Sequence, residues 1–241
     1  ARRDPAPGVR VAALRSLSRV DDGEVLLEAC REALSDSELS VRMAAITALS
    51  HVADRVAAVA VLAEPLHGEE PAMAVRAAAV LAELGDSRGR EHLEEALARS
   101  APSTASAAAI AAGQVGEPME EALVEALQRP EPEVRMQAAA TLLSLGRREA
   151  ALEVLDELLS APGWLGVRAA VAAAEVRGRE ARERLVRALL ADDPTLRAFA
   201  AGSCSSVPRG MEVARRALVD DAASVRVAAA SAILRILRSE G

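Results

Sequence analysis

Three histidines and two cysteines are the side chains of this sequence best suited to bind a metal ion or to act as a nucleophile. His51, His67 and His92 are not spaced i, i+4, and none of them is followed by Glu, so they form no metal-binding pair. Cys30 and Cys204 lie far apart, without a Cys-x-x-Cys pair and without a neighbouring His. We therefore predict no metal site, no cofactor and no catalytic residue.

Arginine recurs along the chain at intervals near thirty residues and could bind anions. A ladder of guanidinium groups suits the phosphate or carboxylate of a ligand. The alternative is structural, with each arginine tied to a carboxylate in a neighbouring turn, such as Asp36, Glu70, Glu131, Asp193 or Asp221. We favour the structural pairing. The recurring arginines are Arg10, Arg42, Arg76, Arg135, Arg168, Arg197 and Arg226.

A third set of charged side chains forms a candidate surface for binding a protein partner. Residues 1–160 carry a net charge of −11 and residues 161–241 carry +4. An ordinary solvated helix face would explain this difference, and the functional alternative is a charge-polarised groove that orients a partner. The candidate residues are Glu28, Glu91, Glu95, Glu121, Glu125, Glu153, Glu157, Arg184, Arg187 and Arg216.

The composition indicates which elements position these side chains. Of the 241 residues, 51% are hydrophobic, but there is one Phe, one Trp and no Tyr. Alanine, leucine and valine must therefore fill the core, and the abundant Ala, Leu, Arg and Glu all favour helices. A net charge of −7 argues against a general nucleic-acid surface. No apolar run is long enough to span a membrane.

An apolar stripe occurs eight times in the sequence. In its clearest copy, Val41, Ala45, Leu49 and Val52 follow one another at steps of four, four and three residues, which places them on one face of an α-helix. The copies begin 29 to 32 residues apart. The second place of the stripe is always alanine, which marks a close contact between helices. These alanines are Ala13, Ala45, Ala77, Ala108, Ala138, Ala169, Ala200 and Ala229.

Each stripe is followed by a turn and a second apolar helix, so the repeating unit is helix–turn–helix. A unit this short cannot bury its apolar face alone, and stacking on its neighbours produces a continuous core. We predict an all-α fold, a right-handed α-solenoid of about seven and a half repeats that forms one domain over residues 1–241. The repeats begin near residues 4, 36, 69, 101, 130, 161, 192 and 221, and the last is truncated.

Prolines, glycines and aspartates are expected at the ends of the helices. Proline precedes or begins several first helices, where its missing N–H costs nothing, at Pro71, Pro102, Pro132, Pro162 and Pro194. Glycine follows several first helices, where a left-handed cap requires no Cβ, at Gly85, Gly116, Gly146 and Gly178. Aspartates in the linking turns are expected to cap helices, at Asp36, Asp193 and Asp221.

The run Val-Arg-x-x-Ala-x-x-x-Leu, preceded by acidic residues, resembles the short HEAT-like repeats of the phycobilisome-lyase type. The resemblance covers nearly the whole chain, although the fourth repeat begins at Thr104 and lacks the arginine. It implies that second helices line a concave surface, and it supports structural pairing of the arginines. Proteins with such repeats include lyases, hydroxylases, glycosylases and scaffolds. The His-Glu pairs expected of deoxyhypusine hydroxylases, and the aromatic residues and basic groove expected of alkyl-purine DNA glycosylases, are missing from this sequence.

From these features we predict a non-enzymatic protein-interaction scaffold or regulatory domain of a larger, bacterial-type protein. Its partner, an unidentified protein, would bind the concave face of the second helices. The alternative is a bilin lyase-like or accessory factor acting on a tetrapyrrole-bearing protein. A cytoplasmic location is expected because no signal peptide is visible, and the absence of an initial Met suggests an excised or processed piece. The last helix, residues 225–237, is apolar nearly all round, so we expect further chain, another domain or a second copy to cover it.

Overall fold

A computed structural model of the protein describes residues 4–20 and 22–239. This part of the chain contains fifteen α-helices and three short 3₁₀ turns, and no β-strand. The first helices of successive hairpins are α1 (Pro7–Leu17), α3 (Leu39–Ala48), α5 (Pro71–Glu83), α7 (Pro102–Val115), α9 (Pro132–Ser144), α11 (Gly163–Ala172), α13 (Pro194–Gly202) and α15 (Ala223–Ser239). The second helices are α2 (Gly23–Leu34), α4 (Arg55–Leu66), α6 (Ser87–Arg99), α8 (Glu120–Ala126), α10 (Arg148–Leu159), α12 (Gly178–Ala188) and α14 (Gly210–Ala217). The predicted all-α fold, an α-solenoid of stacked hairpins, is confirmed.

The chain divides into two compact units, Ala1–Ala126 and Leu127–Gly241. In unit 1, the first helices pack in sequence, α1 on α3, α3 on α5 and α5 on α7. In unit 2 the same order holds, with α9 on α11, α11 on α13 and α13 on α15. Second helices also contact their neighbours, as α6 and α8 do in unit 1 and α12 and α14 do in unit 2. A single solenoid domain over all 241 residues stays a prediction.

Proline and glycine mark helix ends at most of the predicted places. Five first helices have proline in their first turn, at Pro7, Pro71, Pro102, Pro132 and Pro194. Three glycines that follow first helices have φ between 82° and 87°, a left-handed conformation that residues with a Cβ rarely adopt, at Gly85, Gly116 and Gly146. Gly178 was expected to be a fourth such cap, but it begins α12 instead. Asp193 caps α13 by accepting a hydrogen bond from the N–H of Thr195.

The alanine row lies in the core, as predicted. Seven of its members have no exposed surface: Ala45, Ala77, Ala108, Ala138, Ala169, Ala200 and Ala229. The exception is Ala13 in α1, which is half-buried. No repeat precedes α1 within the described residues, so Ala13 has no neighbouring helix on that side. The alanine of each repeat therefore faces the preceding repeat.

A second buried row lies one residue after the alanine row and faces the following repeat. In unit 2, for example, Ala201 packs in one cluster with Val225 and Ala229 of the next first helix. The row is nearly or completely buried at Leu14, Ile46, Ala78, Ala139, Ala170 and Ala201. Its last member, Ala230 in α15, is exposed. Small residues in both rows let the backbones of neighbouring first helices approach closely.

Candidate protein-interaction surface

Three of the recurring arginines connect one repeat to the next in the same way. Each donates from Nη1 to the carbonyl oxygens five and six residues earlier, in the turn before its own helix. The rest of the guanidinium binds a carboxylate in the turn of the following repeat, and the pairs are Arg10–Asp36, Arg42–Glu70 and Arg197–Asp220. The three arginine side chains are only 12% to 16% exposed. The structural pairing is therefore confirmed for these three arginines.

The other recurring arginines depart from this arrangement. Arg135 pairs with Glu157 of its own repeat, and Glu131, in the turn before its helix, pairs with Arg129. Arg76 donates to the side-chain oxygens of Thr47 and Gln114 rather than to a carboxylate. Arg226 keeps both carbonyl bonds, but no carboxylate in the described part of the chain contacts it. Arg168 is exposed.

In the sixth repeat, a buried arginine from the second helix takes the place of the arginine that five repeats carry one residue after the stripe begins. Gly166 stands at the position where five of the repeats have their recurring arginine. A Cβ there would lie 2.5 Å from Nε of Arg184. Arg184 comes from α12, is 8% exposed, and donates to the carbonyl oxygens of Ala161 at 2.9 Å and Gly163 at 3.0 Å. Burial lowers the pKa of its guanidinium. Arg184 therefore supports the turn, and we remove it from the candidate partner-binding residues.

The paired carboxylates make the fold sensitive to acid. Hydrogen bonds from Arg10 and Arg197 hold the pKa values of Asp36 and Asp220 below their ordinary range. Since the unfolded value is near 4, the pairs stabilise the folded chain above about pH 4 and lose this contribution as pH falls through the folded pKa. We expect the free energy of unfolding in urea to fall between about pH 5 and about pH 2. A chain with Asp36→Asn and Asp220→Asn should lose less over this interval, and equal losses would contradict the assignment.

The histidines and cysteines differ in their exposure to solvent. His51 and His67 are exposed, and His92 is half-buried, which lowers the pKa of its imidazole. Burial raises the pKa of each cysteine thiol, Cys30 and Cys204, to about 12. Within residues 4–20 and 22–239, no group of three or more His, Cys, Asp or Glu is arranged to hold a metal ion.

In unit 1, four glutamates lie on two adjacent second helices and form what we call the acidic patch. Glu91 and Glu95 lie on α6, Glu121 and Glu125 lie on α8, and all four are exposed. On both helices the glutamates stand six and two residues before the closing leucine, so they occupy equivalent positions. No arginine in the described part of unit 1 pairs with them. Glu28 on α2 is also exposed and lies 3.7 Å from Arg31.

In unit 2, the same positions change from acidic to mixed charge. On α10, Glu153 is exposed, whereas Glu157 accepts a hydrogen bond from Arg135, which lowers its pKa. On α12 and α14, the position two residues before the closing leucine carries the exposed Arg187 and Arg216. Arg216 pairs with Glu212, one turn earlier on α14, at 2.9 Å. The one carboxylate of α14 is thus paired within its helix, unlike those of the acidic patch.

A family model described as HEAT repeats matches residues 1–83 and 90–175. The complex of CpcE and CpcF of phycocyanin lyase from Nostoc sp. PCC7120 is 21% identical and has a TM-score of 0.56, with coverage of 92% of this chain and 95% of that chain. YIBA of E. coli is 13% identical and has a TM-score of 0.52, with coverage of 98% and 90%.

At identities of 21% and 13%, the two structures show the fold of this chain alone. No curated protein sequence matches it. None of the described helices combines the length and the apolar character that crossing a membrane requires.

Proposed function

The chain belongs to the HEAT-repeat family, and from this premise we propose that it is a non-enzymatic scaffold that binds a protein partner through its second helices. HEAT repeats build extended surfaces from equivalent positions of successive helices, which suits the binding of another protein. The second-helix face, which we expect to be concave, would contact the partner. In unit 1 the contact would centre on the acidic patch, Glu91, Glu95, Glu121 and Glu125.

The contrast between the two kinds of helix supports this proposal. Ladder arginines on the first helices are largely bound within the protein, as Arg10 and Arg42 illustrate. The acidic patch instead holds two i, i+4 pairs of like charge, an arrangement that destabilises a helix. Solvent screening weakens the repulsion between the two glutamates of each pair. A basic surface on a partner would attract all four glutamates. The partner that fits the acidic patch is therefore a protein with clustered Lys or Arg.

Charge reversal of the acidic patch tests the proposal. We expect the double change Glu121→Arg and Glu125→Arg to abolish capture of the partner by the immobilised chain, because the patch would then repel its basic surface. Captured proteins would be quantified by mass spectrometry at low and high salt. A bound protein that dissociates at high salt and is lost from the variant would identify the partner.

A matched control separates the position of the charge from its amount. Glu69 and Glu83 are exposed in the same unit, outside the second helices, and their change to Arg alters the net charge equally. We expect this control to retain the partner. If both variants behave alike, or if no protein distinguishes them from the wild-type chain, the acidic patch is an ordinary solvated surface.

A bilin lyase-like or accessory role is the second proposal. The likeness to the phycocyanin lyase complex favours it, although a match of 21% identity carries the fold alone. Mixing the chain with a free bilin, or with a bilin-bearing protein, and recording the visible absorption spectrum separates the two proposals. A spectral shift that saturates at one equivalent would support the second role, and an unchanged spectrum would contradict it.

A further inference from the structure

The ladder of arginines and turn carboxylates is incomplete at the last repeat. Arg226 on α15 donates from Nη1 to the carbonyl oxygens of Asp220 and Asp221, as Arg10, Arg42 and Arg197 do with their own turns. Its remaining guanidinium nitrogens bind no carboxylate among the described residues. Arg226 is also exposed, whereas the side chain of Arg197, one repeat earlier, is 12% exposed. The geometry thus presents a guanidinium that is oriented by its turn but lacks its anion.

The complementary group stands in the first repeat. Asp4 lies five residues before the apolar stripe of the first repeat begins. Asp36 and Asp220 lie five residues before the stripes of the second and the last repeat. In all three turns, Oδ1 of the aspartate accepts a hydrogen bond from the N–H two residues later, at 2.9 Å. Asp36 and Asp220 each also bind a ladder arginine of the preceding repeat. Asp4 has no such arginine among the described residues.

Both ends also expose the apolar positions that interior repeats bury. On α15, the outer stripe consists of Val227, Ala230, Leu234 and Leu237, at steps of three, four and three residues. Three of these are well exposed, Val227 at 66% and both leucines at 55%. At the first repeat, Val9 is 42% exposed and Val20 is 58% exposed. In an interior contact, the face of a first helix that corresponds to the exposed stripe of α15 packs against the following first helix. The face that corresponds to the exposed side of α1 packs against the preceding first helix.

We propose that the α15 face of one copy binds the α1 face of a second copy, with Arg226 paired to Asp4 across the contact. The occupant is a second copy because the chain itself carries both halves of the ladder, an oriented arginine at one end and an oriented carboxylate at the other. The contact would repeat the interior arrangement of Arg197 and Asp220 together with its packing of small apolar side chains. It is heterologous, so each copy keeps one free face of each kind and can add further copies. It is independent of the partner-binding function proposed above.

Two charge reversals and their mixture test the proposal by sedimentation equilibrium of the full chain. The wild-type chain should show an average mass that rises with concentration. Asp4→Arg places two arginines in the contact, and Arg226→Glu places two carboxylates there. Each variant alone should bind itself roughly tenfold more weakly or worse, because like charges face each other. Arg99→Glu, an exposed change on α6 away from both faces, should self-associate as the wild-type chain does.

Mixing the two variants gives the decisive result. The Asp4→Arg chain still offers Arg226, and the Arg226→Glu chain still offers Asp4, so one wild-type contact can form between them. The face that carries Asp4→Arg and the face that carries Arg226→Glu also have opposite charges, so the equimolar mixture should assemble beyond two chains, unlike either variant alone. The chain carrying both reversals should assemble again, because the introduced carboxylate of one copy would face the introduced guanidinium of the next.

Other outcomes overturn the proposal. A wild-type chain that stays monomeric at high concentration would assign the apolar face of α15 to a different occupant. Self-association that is unchanged by either charge reversal would indicate another contact. A mixture that remains monomeric would exclude the pairing of Arg226 with Asp4. Far-ultraviolet circular dichroism and urea unfolding of each variant would show that the fold is intact, so that loss of assembly is not loss of structure.

Discussion

Replacing Gly89 by alanine should destabilise the protein by about 3 kcal/mol, although the same change in an open helix is stabilising. Gly89 lies in the first turn of α6, against the backbone of α5. A Cβ at this position would lie 2.3 Å from the carbonyl oxygen of Ala78 and 2.5 Å from the nitrogen of Ala82. Neither backbone atom can move unless the two helices separate. Urea unfolding followed by circular dichroism would measure the loss.

Gly202→Ala is the matched control for this change. Gly202 ends α13 in a right-handed helical conformation, and a Cβ there would meet only the Cβ of Ala228, at an ordinary 3.8 Å. The substitution should therefore stabilise the protein by about 0.5–1 kcal/mol, through the higher helix propensity of alanine. If Gly89→Ala were also stabilising, α6 would not approach α5 as closely as the structure has it.

Truncating Leu81 to alanine should cost about 2–5 kcal/mol. Leu81 is the third member of the apolar stripe in α5 and has no exposed surface. The change removes buried methyl groups and leaves a cavity, since its neighbours in the core include many alanines that are too short to fill the space. The free energy of unfolding from urea titration, compared at equal m-value, gives the effect.

Leu190 provides the control for the cavity. It lies in the turn between α12 and α13 and is 83% exposed. Leu190→Ala should change the free energy of unfolding by no more than about 0.5 kcal/mol. A loss below about 1 kcal/mol for Leu81→Ala would show that the stripe is not packed as described.

The sequence predicts the repeat architecture well because the same apolar pattern occurs eight times along the chain. One amphipathic helix is weak support for any fold, but an alanine at the same place in eight stripes indicates close packing of first helices. The exposure of Ala13 follows from its place in the first repeat, which has no preceding neighbour among the described residues. Periodicity reveals which residues can face a neighbouring repeat, but it does not specify how deeply each of them is buried.

The candidate surface is less predictable because long side chains reach across repeats. Arg184 has the sequence context of a surface residue, yet its guanidinium fills the space beside Gly166. It lies on the second helix of the repeat, whereas the recurring arginines lie on first helices. A gap in the ladder at Gly166 is the signal that could have indicated this replacement. Arg135 illustrates a second limit, since it pairs with Glu157 on the second helix of its own repeat rather than with a carboxylate in a neighbouring turn. Pairing among several reachable carboxylates depends on rotamers, which spacing does not specify.

The placement of the two cysteines has a practical consequence for measuring the motions of this protein. Each compact unit contains one thiol, Cys30 in unit 1 and Cys204 in unit 2, and both are completely buried. A thiolate, the form that reacts with alkylating reagents, requires exposure to water. Alkylation of each cysteine therefore proceeds only when its surroundings open. The rates at the two sites, resolved by peptide mapping, would report separately the opening free energy of each unit without any engineered probe.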